Sequence, residues 1–306
     1  MTLLPIPSAS GIGKQEFTAE YIKQGRPVIL TDFIAGSAAL EKWDFDYFKA
    51  AAGDLSVKVH GKEENHPDWV TTPPIGTMTL AKYLDNISRG PSDLRLFLSN
   101  ILLARPDLKK DLHVRAIADH LLPSLPFLFF GGEGSSVRYH YDIDMSHVFL
   151  TQFQGEKKIL LFPNDQSPLL YRLPYNFHGI ADLRRPDYGQ FPALRYLRGW
   201  ECTLRFGETL YIPSGYWHHI QYLSAGYSVS HRALSSSVAD RITGLKNILL
   251  TRRIDNLLRR LYGNNWYVQK VISAHARAAE ALAYREPSDD PYIHIRQSYV
   301  RQNIFD

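Results

Sequence analysis

The middle of the chain is organised as short apolar-polar alternations separated by glycine turns. Val148-Phe149-Leu150-Thr151-Gln152-Phe153-Gln154 and Lys157-Lys158-Ile159-Leu160-Leu161-Phe162-Pro163 flank Gly155-Glu156, which predicts strand, turn, strand, that is, a hairpin. Gly199 to Pro213 repeats that grammar around Gly207, and Gly226-Tyr227-Ser228-Val229-Ser230 adds a short strand rich in aromatic and β-branched residues. Several short strands with regular turn signals predict a barrel or sandwich rather than alternating βαβ units. From about Ser237 to Arg285 the period changes: Ile242, Leu245, Ile248 and Leu249, then Ile254, Leu257, Leu258 and Leu261, recur at three and four, as on amphipathic helices. Gly263-Asn264-Asn265 breaks that run, and an alanine-rich, strongly helix-forming stretch follows it.

Candidate chemistry falls on the strands. His140 and Asp142 are two residues apart, so on a strand both side chains point to one face. With His218 they make two imidazoles and one carboxylate, a set that holds one face of an octahedral Fe(II) and leaves the opposite positions open. A structural zinc site is closed by four ligands and is commonly rich in cysteine, whereas Cys202 is the only cysteine here. His219, next to His218, must point away from that metal and reads as a structural or rim residue. In Lys157 to Phe162, alternation places one of the two lysines among apolar neighbours, and a buried lysine requires an anion.

Composition narrows the class. The 306 residues, 44% of them hydrophobic, suffice for a sizeable core. A single cysteine excludes an internal disulfide framework and suits a reducing compartment. No stretch approaches transmembrane length, and the N-terminus lacks the basic and apolar regions of a signal peptide, so a cytoplasmic protein without membrane contact is expected. The net charge of +4 does not announce a nucleic-acid partner, although Arg252, Arg253, Arg259 and Arg260 cluster in the helical region. Pro168 to Arg198 shows no periodicity and reads as a long loop hanging over the site, with Asp182, Arg184, Arg185 and Asp187 as its charged candidates.

The stretch from about Phe127 to Leu234 resembles the JmjC (jumonji, cupin-like) oxygenases that use Fe(II) and 2-oxoglutarate. The likeness rests on His140-Tyr141-Asp142, Gln152 to Lys157, Leu161-Phe162-Pro163, Pro186-Asp187-Tyr188, Phe191-Pro192, Tyr211-Ile212-Pro213 and Trp217-His218-His219, in that order. It lies nearest to the family's small hydroxylases, which act on an asparagine of hypoxia-inducible factor or on tRNA wybutosine. Phe17, Tyr21, Arg26 to Leu30 and Trp43 to Phe48 extend the likeness thinly to the N-terminus.

The resemblance implies a double-stranded β-helix (cupin or jelly-roll) barrel, mainly β with flanking helices, followed by a C-terminal helical segment. On that basis residues 1–235 form the oxygenase domain, its barrel from about 121, and residues 236–306 form a helical segment that either mediates homodimerisation, as in the resembling enzymes, or packs as a layer on its own barrel. His140, Asp142 and His218 would bind the iron, and Lys157 the distal carboxylate of 2-oxoglutarate. His147, reached after a two-residue insertion, and Ser230 stand where relatives place further groups near the co-substrate. Two positions depart from the pattern: Val137 replaces a threonine hydroxyl, and Phe97 to Leu103 offers no phenol where relatives have a tyrosine. The expected activity is hydroxylation or demethylation of a macromolecular substrate with Fe(II), 2-oxoglutarate and O2. A protein or peptide is the first choice of substrate and tRNA the second. A metal enzyme that does not use 2-oxoglutarate, and a catalytically silent binding module, are the alternatives.

Overall fold

The computed structural model describes residues 1–62, 68, 73–99 and 101–283, so Asn100, Arg285 and the rest of the expected C-terminal segment lie outside the described residues. Its strands are β1 (Thr2–Pro5), β2 (Ser8–Ala9), β3 (Val28–Leu30), β4 (Ser56–Val59), β5 (Gly76–Thr79), β6 (Arg95–Ser99) and β7 (Phe127–Gly131). There follow β8 (Ser136–His140), β9 (His147–Gln154), β10 (Lys157–Phe162), β11 (Arg198–Leu204), β12 (Thr209–Ile212), β13 (Trp217–Tyr222) and β14 (Gly226–Ala233). A five-stranded sheet runs β1-β11-β10-β13-β8, a seven-stranded sheet runs β2-β3-β12-β9-β14-β7-β6, and β4 pairs with β5.

The strands fall where alternation places them, but the expected hairpins do not form. β9 pairs antiparallel with β12 and β14, while β10 pairs antiparallel with β11 and β13. The turn at Gly155-Glu156 therefore carries the chain from one sheet to the other, and the link from β11 to β12 does the same. This is the jelly-roll arrangement: consecutive strands face each other across the barrel and bond to strands distant in sequence. The physical reason is burial. β9 is buried along all but its last residue, so both its faces need cover, which a two-stranded ribbon cannot provide.

Ile29, Val148, Leu150, Ile159, Leu161, Leu204, Leu210 and Ile212 fill one side of the barrel interior. A large aromatic cluster around Phe17, Phe33, Phe48, Phe149 and Tyr227 seals the outer face of the seven-stranded sheet beneath the N-terminal helices. The outer face of the five-stranded sheet is covered by the segment from Pro168 to Arg198, expected from the sequence to hang over the site. Leu170, Tyr171, Leu173, Phe177, Leu194 and Leu197 are all buried against Tyr139, Phe162 and Trp217. The Tyr139 hydroxyl donates to the Leu170 carbonyl at 2.7 Å and accepts from the Ala181 N–H at 3.1 Å, pinning the segment to β8. Gly179 permits that approach, since a Cβ there would lie 2.1 Å from the Tyr139 hydroxyl oxygen. The segment is thus a packed layer, and apolar burial without regular periodicity is what the sequence pattern hid.

Eight helices are described, of which α1 (Lys14–Phe17), α2 (Ala39–Lys42), α3 (Phe45–Ala52), α4 (Leu80–Ser88) and α5 (Ile101–Ala104) precede the barrel. After it come α6 (Val238–Lys246), α7 (Arg252–Tyr262) and α8 (Asn264–Ala283), with Gly263 at φ 53° making the expected break. α8 buries Ala274 and Ala278 in the layer over the five-stranded sheet. The Lys270 ammonium, 1% exposed, is held between Asp68 and Asp255, and Trp266 Nε1 donates to Asp255 at 2.9 Å. Such a buried cation is tolerable only because both carboxylates face it. α6 and α7 differ: Ile242, Leu245, Leu257 and Leu261 remain more than half exposed. No helix among the described residues is long and apolar enough to cross a membrane.

Candidate metal centre

β13 and β8 lie side by side, with His218 directly opposite His140. The next pair in register is Ile220 with Val137, so three residues of β8 span two of β13 in a β-bulge. The bulge brings Val137 into the cavity along with His140, and Arg138 lines it as well. Asp142 follows as the chain leaves β8. One ligand atom from each of His140, Asp142 and His218 lies within 4.8 Å of the others.

The surrounding bonds prepare these atoms for a metal. His140 Nδ1 lies 2.8 Å from the Arg138 carbonyl, and His218 Nδ1 lies 3.2 Å from the Tyr216 carbonyl. A carbonyl only accepts, so each Nδ1 carries the proton and each Nε2 is left with its lone pair. Burial, with His140 close by, pushes the His218 imidazole down to about 4, the neutral form that a metal requires. Burial opposes ionisation of Asp142, but the Arg232 guanidinium together with the His218 and His140 rings outweighs it and holds the carboxyl well below the usual range. Arg232 Nη1 sits 2.9 Å from Asp142 Oδ2, 3.2 Å from Asp144 Oδ1 and 2.8 Å from Ser146 Oγ. Two imidazoles and one ionised carboxylate, converging on an open cavity, fit a divalent ion with exchangeable positions.

The cavity measures about 250 Å³ and runs from this triad along the barrel interior. Lys157 lies at the end away from the triad, opposite Tyr222 on β13, while Leu161 of the same strand is opposite His218. As alternation required, Lys157 is inside, 1% exposed, whereas Lys158 is outside and pairs with Glu201 at 3.1 Å. Burial pushes the Lys157 ammonium down to about 7, and no carboxylate faces it among the described residues. Its Nζ donates to Ser228 Oγ at 2.5 Å and lies 4.3 Å from the centre of the Tyr222 ring. Val137 and Phe97 line the same cavity and bring no hydroxyl, so the two departures noted in the sequence fall inside it.

Ser230 also lines the cavity, and its buried Oγ has no hydrogen-bond partner among the described residues. His147 does not line it. It starts β9 with its ring turned to the opposite face, where Nδ1 accepts from the Ser214 N–H at 3.1 Å and meets the Tyr211 hydroxyl at 2.9 Å. Val148, one residue on, takes the inward place, as alternation demands. His219 faces a second cavity behind the sheet. Ser228, Tyr222, Arg232 and His178 were not singled out from the sequence, yet all four line the main cavity. Parity with Ser230 could have flagged Ser228 and Arg232, since positions two apart on a strand share a face. Nothing local marks His178, which a lone bridge between residues 140 and 178 brings beside the triad.

Fold and site together define a jelly-roll protein with a His-Asp-His group that could hold a metal ion. The chain belongs to the cupin-like domain family, whose profile matches residues 14–236, and its relatives are of the JmjC type. It is 29% identical over 247 residues to Lysine-specific demethylase JMJ30 of Arabidopsis thaliana, covering 75% of this chain and 55% of that protein. It is 24% identical over 261 residues to tRNA wybutosine-synthesizing protein 5 of Mus musculus, covering 78% of this chain and 81% of that one. To Lysine-specific demethylase 8 of Xenopus tropicalis it is 26% identical over 236 residues, covering 74% and 52%. The chain therefore spans about half the length of the two demethylases.

Proposed function

We propose that the protein is an Fe(II)- and 2-oxoglutarate-dependent dioxygenase acting on a protein side chain. The observation that carries this reading is Lys157, a buried ammonium without a carboxylate partner among the described residues, in one cavity with the His140, Asp142, His218 triad. Lys157 and Leu161 are four residues apart on one face, so roughly 13 Å of strand separates the lysine's row from that of His218, a span suited to a small dicarboxylate between ammonium and metal. His140, Asp142 and His218 would hold the iron, which supplies oxygen activation coupled to decarboxylation of the keto acid. The balance is 2-oxoglutarate, O2 and a substrate C–H bond giving succinate, CO2 and C–OH; a hydroxylated N-methyl group would then release formaldehyde.

The chain's own residues set the geometry. Lys157 anchors one end of the co-substrate, Arg232 fixes Asp142, and Leu150, Ile212 and Ile220 keep water from the inner wall. Tyr141, Phe177 and His178 line the cavity near the triad, on the side left to the substrate. A protein or peptide is the favoured substrate, in keeping with the names of the two demethylases, and tRNA the second, in keeping with that of the wybutosine protein. The exposed apolar face of α6 and α7 supports a homodimer, and a cytoplasmic location remains part of this reading.

An anaerobic Fe(II) titration with and without 2-oxoglutarate tests the proposal. The expected result is a weak visible metal-to-ligand charge-transfer band on adding 2-oxoglutarate, lost in His140→Ala and weakened in Lys157→Ala. Tight Fe(II) binding without the band favours a metal enzyme that does not use 2-oxoglutarate, the reading to which Val137 and Phe97 lend weight. No Fe(II) binding leaves a binding module.

A further inference from the structure

The sequence leaves open how a carboxylate is held at the inner end of the cavity, given Val137 and Phe97. We propose that Ser228 is a co-substrate-binding residue that acts with Lys157 on the distal carboxylate of a dicarboxylic keto acid. The assignment rests on the 2-oxoglutarate reading above and adds a second donor to it.

β10 and β14 belong to opposite sheets, so the Lys157–Ser228 bond crosses the barrel interior. Ser228, Ser230 and Arg232 alternate along β14 and all reach the cavity, Ser228 starting just after a bulge at Tyr227. In this bond Nζ donates and Oγ accepts. Ser228 therefore still has its own O–H proton to give, and accepting from a cation makes that proton a better donor. The ammonium retains two protons. An incoming carboxylate meets N–H and O–H donors whose heavy atoms are 2.5 Å apart.

Arg95 also lines the cavity, with one guanidinium nitrogen donating to the Gly61 carbonyl at 2.8 Å, while Phe97, Val137 and Ile220 are apolar. Tyr222 presents its ring face to Lys157, and the phenol end lies against Gly131, where a Cβ would come 2.5 Å from Cζ. That close seat directs the hydroxyl end toward β7 and keeps the ring flat beneath the ammonium. Ser228 is fully buried, and a serine placed there only for packing would gain nothing from a cation that must itself be neutralised.

The test compares 2-oxoglutarate with 2-oxopentanoate, a keto acid of equal length without the distal carboxylate, in anaerobic titrations of the Fe(II)-loaded protein. Wild type is expected to bind 2-oxoglutarate more tightly. Ser228→Ala should weaken 2-oxoglutarate binding about ten- to a hundredfold, the usual worth of a hydrogen bond to a charged group, and leave 2-oxopentanoate and Fe(II) affinities unchanged. Unchanged Fe(II) affinity also shows that the variant is folded. Full wild-type discrimination in Ser228→Ala, or equal weakening of both acids, overturns the role of Ser228 and leaves the 2-oxoglutarate reading standing. A wild type that does not discriminate overturns the reading itself.

Discussion

Arg232 is half-buried at the edge of the triad, and its guanidinium serves Asp142, Asp144 and Ser146 at once. It commits Asp142 Oδ2 and leaves the other oxygen for a metal, so its removal should be felt in metal binding. Arg232→Met is expected to weaken Fe(II) or Mn(II) affinity about 10- to 100-fold, the usual cost of losing a partner of a metal ligand. Arg232→Lys should recover part of that loss, because it restores the charge but not the planar fork. Titration of the purified variants decides, and unchanged affinity would reduce Arg232 to a packing role. The same scale explains Lys157 and Lys158. Strand parity sent one lysine into the cavity and the other to solvent beside Glu201, which a pair of neighbouring codes alone does not distinguish.

Among the elements, β8 and the last three helices bear most on function. The β8 bulge sets which of its residues face the metal, and it is invisible in the sequence because an extra residue in a strand has no compositional mark. The helices were legible as amphipathic, but their partners were not. α8 covers its own barrel, whereas α6 and α7 present Ile242, Leu245, Ile254, Leu257 and Leu261 to solvent. An apolar face of this extent marks an interaction surface. A second copy of the chain is the proposed occupant, and the double variant Leu257→Glu, Leu261→Glu is expected to shift sedimentation from dimer to monomer. Its Fe(II) affinity should stay at the wild-type value, since neither residue approaches the cavity. A wild type that sediments as a monomer at micromolar concentration would sink the dimer.

For the whole molecule, burial of histidines ties stability to pH. His147 and His231 are both pushed by burial down to about 4 from 6.5, and neither ring nitrogen of His231 has a hydrogen-bond partner among the described residues. The folded state therefore binds fewer protons than the unfolded chain between those values. Stability is complete above pH 6.5 and falls as pH drops toward 4, by up to about 1.4 kcal/mol per pH unit for each such histidine. Urea unfolding at pH 7, 6, 5 and 4.5 should show this decline, and His231→Leu should flatten it by one histidine's share. An identical slope in that variant would remove His231 from the account.

The chain's alternation, its glycine turns and its change to a period of three and four were enough to read a β barrel followed by helices. The types and spacing of His140, Asp142 and His218 were enough to pick out three residues whose ligand atoms the fold brings within 4.8 Å of one another, and parity was enough to put one lysine inside. These are local properties, set by which way successive side chains point. Pairing is different. Which strands bond, that β9 and β10 face each other instead of forming a hairpin, and that Pro168 to Arg198 packs as a layer depend on contacts between residues far apart in sequence. The same holds for Ser228 against Lys157, Arg232 against Asp142 and His178 beside His140. His147 shows the limit most directly: one step along a strand reverses the face, so a site residue placed by a loop-length argument passes to the far side of the sheet.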